Sequence, residues 1–80
     1  MVVTVEEVQA LVRLQLGKRK VSSDDRLMED LGAESADIVN IVAAAEDKFD
    51  VSFNEADIAA VRTVKDVYQM INASGGQKPF

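Results

Sequence analysis

Three stretches of this chain carry apolar side chains at steps of three and four. Val5, Val8, Leu11, Val12 and Leu16 form the first stripe, Ile38, Ile41, Val42, Ala45 and Phe49 the second, and Val64, Val67, Tyr68 and Ile71 the third. That period turns one side of a helix toward a core, whereas a half-buried strand alternates every second residue. Capping residues sharpen the bounds. Thr4 is followed three positions later by Glu7, and Thr63 by Asp66, so hydroxyl and carboxylate can each accept the other residue's backbone N–H. The spacing predicts a first helix over Val5–Leu16, stopped by Gly17, with Lys18-Arg19-Lys20 as a solvated terminus complementing its negative end. A second helix is predicted from about Ala36 to Asp47 or Phe49. A short third covers Glu55–Ala60 behind Asn54 with Ile58 inward, and the last runs from Val64 to about Asn72. Asp50-Val51-Ser52-Phe53 reads as an extended connector that turns Val51 or Phe53 inward.

Residues 18–34 are then left as a loop longer than the usual helix–helix connection, a length that points to function. Val21, Leu27, Met28 and Leu31 recur too often for a free linker, and are expected to pin the loop across the helices. The fold class is therefore all-α, a small bundle of three longer helices and one short third helix with a long first loop. Residues 1–73 are expected to form the domain, and Ser74 to Phe80 a flexible tail.

Side-chain chemistry excludes much. The chain has no Cys and no His, which removes disulfides, serine triads and Cys/His zinc sites together. Carboxylate pairs remain, but a small bundle offers no deep cleft for them, and a non-enzyme is expected. No stretch has the ligand spacing of a calcium loop, so Asp24 with Asp25, or Glu46 with Asp50, are expected to attract Mg²⁺ or Ca²⁺ only weakly. With 48% hydrophobic residues in 80, one modest core is affordable, and no apolar run approaches a membrane span. No charged stretch leads into an apolar one, so no secretory signal is expected, and the lack of Cys fits a reducing, cytoplasmic setting. The net charge is −5, and the segment from Asp24 to Asp66 holds twelve acids against four bases. Such a body repels nucleic acid and suits basic protein partners.

One stretch combines these signals: Asp30-Leu31-Gly32-Ala33-Glu34-Ser35-Ala36-Asp37-Ile38-Val39. It reads as a loop turning into the second helix, with Leu31 as an apolar anchor and Gly32 as the joint. Ser35 is expected at the N-cap, with Asp37 in the first turn. A hydroxyl there lies at the positive end of a helix, where a covalently attached phosphate ester would be favoured. Simple capping is the other reading of the same serine.

This stretch resembles the signature of acyl carrier proteins, usually Asp-Leu-Gly-x-Asp-Ser-Leu, with Glu34 in place of Asp and Ala36 in place of Leu. The similarity extends to Gln15-Leu16-Gly17, Leu27-Met28-Glu29, Glu46-Asp47-Lys48-Phe49-Asp50 and Thr63-Val64-Lys65-Asp66-Val67, covering roughly residues 4–72. The resemblance implies a free-standing, monomeric carrier for fatty acid, lipid or polyketide synthesis, a four-helix bundle with 4′-phosphopantetheine covalently on Ser35. Met1 and the full set of helices fit a free-standing chain. The implied partners are a phosphopantetheinyl transferase and the acyl-loading and acyl-using enzymes, through basic docking patches. Glu34, Asp37, Glu46 and Asp47 would meet those patches, with Ala36, Val39, Asn40 and Ala43 beside them; a solvated face is the plainer reading of the acids. Asn40 stands where the family usually has an acid, and Ala36 and Ala43 where Leu and Met are common, which implies a specialised carrier. Ala45 stands where Leu is common on the inward face. A peptidyl or aminoacyl carrier, or an unmodified interaction module, are the alternatives.

Overall fold

The computed structural model describes residues 3–74. Four helices follow in chain order: α1 (Val5–Leu16), α2 (Ser35–Phe49), α3 (Glu55–Ala60) and α4 (Val64–Ser74). The bounds of α1 and α3 agree with the spacing and capping expectations. Helix α2 begins one residue earlier than expected. Helix α4 reaches Ser74, so the expected boundary at 73/74 falls inside the helix, and the rest of the expected tail lies outside the described residues.

Local chemistry explains the ends. The Glu7 N–H donates to the Thr4 hydroxyl at 3.2 Å, and the Thr4 N–H donates to Glu7 Oε1 at 3.0 Å. The same exchange joins Asp66 N–H to Thr63 Oγ1 at 3.1 Å and Thr63 N–H to Asp66 Oδ2 at 3.0 Å. Asn54 Oδ1 accepts from the Asp57 N–H at 2.8 Å. Gly17 closes α1 with φ +65, a conformation that costs a side chain about 1–2 kcal/mol.

Helices α1, α2 and α4 pack on one another around a single core. Val8, Val12, Ile41, Ala45, Val64, Val67 and Ile71 have no exposed surface. Leu16, Ile38 and Tyr68, expected inward, are half-buried at its edge, as is Phe53 beside buried Val51, and Val5 is half-buried as well. Helix α3 contributes no buried residue. Val3, Ala33 and Val61 are buried without having been expected, because they lie in flanking segments that show no period. At one end of the bundle the chain is clasped: Val3 N–H donates to Asn72 Oδ1 at 3.1 Å, and Asn72 Nδ2 donates back to the Val3 carbonyl at 3.0 Å.

Candidate functional site

The long loop is fixed at both of its ends and in the middle. Gln9 on α1 donates to the Val21 carbonyl at 3.0 Å, and Val21, Leu27 and Leu31 are buried as expected. Met28 is not: it stands 47% exposed, because its neighbour Leu27 takes the inward position. The Leu27 N–H donates to the Arg62 carbonyl at 2.9 Å, and the Leu27 carbonyl accepts from the Ala33 N–H at 2.8 Å. Val64 and Lys65 donate backbone N–H groups to Asp25 and Ser23 carbonyls at 3.1 and 2.8 Å. An antiparallel bridge between Arg26 and Thr63 results, strapping the loop to the entrance of α4.

Arg26 folds back within the loop. Its N–H and Nε reach Asp30 Oδ2 at 2.7 and 3.2 Å, and its Nη2 reaches Oδ1 at 3.2 Å. The Arg26 side chain, then its backbone N–H, hold the Asp30 carboxyl below its ordinary range, while the Asp30 carboxylate pushes the guanidinium up. Gly32 then takes φ +70, and the buried Ala33 sets the approach to α2.

Ser35 is exposed and is the first residue of α2, not its N-cap. Glu34 holds the cap position, with φ −97 and ψ 170, and its N–H donates to Asp37 Oδ2 at 2.9 Å. The correction follows from spacing: Asp37 lies three residues after Glu34 but two after Ser35, and the box requires three. The serine hydroxyl is therefore not needed as a cap acceptor. It still lies at the first turn, whose N–H groups lack carbonyl partners within the helix.

Ser35 lines a groove of about 230 Å³ with Met28, Ile38, Val39, Ile58, Ala59, Val61 and Arg62. The Leu27–Arg62 backbone bond builds this groove by bringing the loop beside the segment that follows α3. A contact between residues 27 and 62 leaves no local mark, so Ala59, Val61 and Arg62 had no sequence signal. Exposed Met28 and Val39, the latter 59% exposed, form apolar lips.

The predicted docking residues divide. Glu34, Ala36, Val39, Asn40, Ala43 and Asp47 are exposed. Asp37 and Glu46 are half-buried and hold the local backbone. Asp37 accepts from Glu34, and Glu46 Oε2 accepts from the Phe53 N–H at 3.0 Å, fixing the connector that follows α2. Among the described residues no three acidic side chains converge in a way that could hold a metal ion. No helix among them is long and apolar enough to cross a membrane.

A family model described as "phosphopantetheine attachment site" matches residues 6–71. An acyl carrier protein of Helicobacter hepaticus is 37% identical over 73 residues, covering 89% of this chain and 96% of that protein. The chain belongs to the acyl carrier protein family. Another acyl carrier protein, from Trieres chinensis, is 32% identical over 76 residues, with 92% and 95% of the two chains covered. The solution structure of a 3,5-dioxohexyl acyl carrier protein from the actinorhodin polyketide synthase of Streptomyces coelicolor matches with a TM-score of 0.80. At 20% identity over 99% of this chain and 98% of the other, that likeness is one of fold. Acyl carrier proteins are carriers rather than enzymes, and the prosthetic group of this one is 4′-phosphopantetheine. The site fits such a group: an exposed hydroxyl at a helix start beside a groove with apolar walls and one cation.

Proposed function

We propose that Ser35 is the residue esterified by 4′-phosphopantetheine, and that the chain carries acyl groups as thioesters on that arm. The observation that carries this reading is the exposure of the Ser35 hydroxyl at the first turn of α2, on the rim of the groove. The chain has no Cys, so the sulfur of a thioester must come with the prosthetic group. The residues around Ser35 position it and keep the arm's root in a favourable field, because first-turn N–H groups offset the charge of a phosphodiester.

Recognition falls to the exposed face of α2. Glu34 and Asp47, with the remaining lone pairs of Asp37 and Glu46, present the negative charge that a transferase and the acyl-loading and acyl-using enzymes would meet with basic patches. Ala36, Val39, Asn40 and Ala43 shape the same face. Short side chains at 36 and 43 remove apolar contact worth about 0.8 kcal/mol per buried methylene. On that ground the protein is a specialised carrier, and its family resemblance makes it a monomer serving fatty acid, lipid or polyketide synthesis.

Intact mass after incubation with coenzyme A and a phosphopantetheinyl transferase tests the assignment. One phosphopantetheinyl adduct is expected, and none on Ser35→Ala, although Ser22, Ser23, Ser52 and Ser74 remain. An unmodified wild type across several transferases, or an adduct that survives Ser35→Ala, overturns it. The modified protein should then be loaded by a common malonyl transferase more slowly than an ordinary acyl carrier at limiting concentration; equal rates refute the specialisation.

A further inference from the structure

We propose that Arg62 binds the phosphodiester that joins the arm to Ser35, an inference that rests on the assignment of Ser35 above. Ser35 and Arg62 line one groove, and the other lining residues, Met28, Ile38, Val39, Ile58, Ala59 and Val61, are all apolar. No carboxylate lines it. Arg62 is thus the sole charge in a groove whose rim holds the modified hydroxyl.

The remaining bases of the acidic segment are otherwise engaged or placed. Arg26 pairs with Glu29 at 3.6 Å and Asp30 at 3.2 Å. Lys48 lies 5.9 Å from the centre of the Phe49 ring, at the far end of α2 from Ser35. Lys65 is exposed on α4 and does not line the groove.

Arg62 is also held in place. Its carbonyl accepts from Leu27, and its N–H donates to Asp66 Oδ2 at 2.9 Å. Its Nη1 donates to the Ala59 carbonyl at 3.0 Å and the Val61 carbonyl at 3.4 Å. Nε and Nη2 keep their donors for a ligand. A phosphodiester is a permanent monoanion with two unesterified oxygens, and a guanidinium fork suits two oxygens better than a lysine ammonium does. Apolar walls strengthen the attraction relative to open water. A carboxylate on a carried acyl group has related chemistry, but it sits an arm's length from Ser35, whereas the phosphodiester is bonded to it.

Capping the end of α3 through Ala59 is a structural role that Arg62 has in any case, so the test must compare changes on modification. Wild type, Arg62→Gln and Arg62→Lys are each prepared without the arm and with the arm bearing only its free thiol. The Arg62 Nε–Hε resonance should move on attachment in the wild type. The change in Tm on attachment should be less favourable in Arg62→Gln by about 1–8 °C, the span of an exposed charge pair in a domain this small. Arg62→Lys should fall between, and 1 M salt should shrink the difference. An adduct that forms while the resonance stays still, with equal changes in Tm, overturns the proposal and leaves Arg62 as a cap alone. Failure of the wild type to take any adduct overturns the Ser35 assignment, and this inference with it. Movement that appears only after loading a carboxyl-bearing acyl group assigns Arg62 to the cargo and also refutes the phosphodiester.

Discussion

Ala45→Leu tests whether the bundle closed around a missing side chain or kept a space for it. Ala45 has no exposed surface and belongs to the core with Ile41, Phe49 and the buried residues of α1 and α4. Phe53 and Met70 pack against that core from its edge. Ala45 lines neither the groove beside Ser35 nor another of about 220 Å³ between α3 and α4, of which Met70 forms part of the wall. Ala and Leu have nearly equal helix propensity, so the backbone term is small. In a filled core the three added carbons force shifts costing about 1–3 kcal/mol. In a real void the same carbons would gain up to about 2.4 kcal/mol at about 0.8 per methylene. The two cases differ in sign. With Phe53 and Met70 packed against the core as filling groups, the first case is expected, so Tm should fall by about 4–8 °C for each kcal/mol in a domain of this size. Thermal unfolding of the unmodified protein followed by circular dichroism is the assay. A clear rise in Tm would show that a void exists and that the reasoning from burial is wrong.

Leu27→Ala removes the fully buried anchor of the long loop and should cost about 2–5 kcal/mol, a large share of the roughly 4–12 kcal/mol available to 80 residues; a urea midpoint equivalent to less than about 1 kcal/mol would show the loop is held by its backbone bonds instead. Acid should unfold the protein partly through Glu7, whose carboxyl the Thr4 backbone N–H and then the Thr4 hydroxyl hold below its ordinary 4.5. A lowered folded value means the contribution is complete above the unfolded value and is lost as pH falls through the folded one. Urea midpoints measured from about pH 5 to pH 2 should therefore fall less steeply in Glu7→Gln than in wild type, and parallel curves would refute the role.

The sequence made the helices legible where the signal was local. Thr4 with Glu7, Asn54 with Asp57 and Thr63 with Asp66 announce starts that the structure keeps, because a cap needs only its own first turn. The same rule selects Glu34 over Ser35, because Asp37 lies three residues after Glu34, against the general preference of serine for caps. The fold could be read from the helical spacing, and the family and its prosthetic group from the residues around Ser35 together with the matches along residues 4–72. What could not be read was set by contacts across the chain. Nothing near Met28 says that it, rather than Leu27, faces outward, since an irregular loop has no period to follow. The bridge between Arg26 and Thr63, and with it the place of Arg62 in the groove, depends on residues more than thirty positions apart. Glu46 looked like a recognition charge by position, yet it also holds the Phe53 N–H, a role visible only with the turn in place.

The clasp between Val3 and Asn72 bears on the order in which the molecule can come into being. A ribosome releases α1 first and α4 last, and the partner of residue 3 does not exist until residue 72 has been joined. Val67 and Ile71, which complete the core around Val8 and Val12, arrive in the same final stretch. A nascent chain that has made α1, the loop and α2 therefore owns the modifiable serine before it owns the closed bundle, whose clasp waits for residue 72.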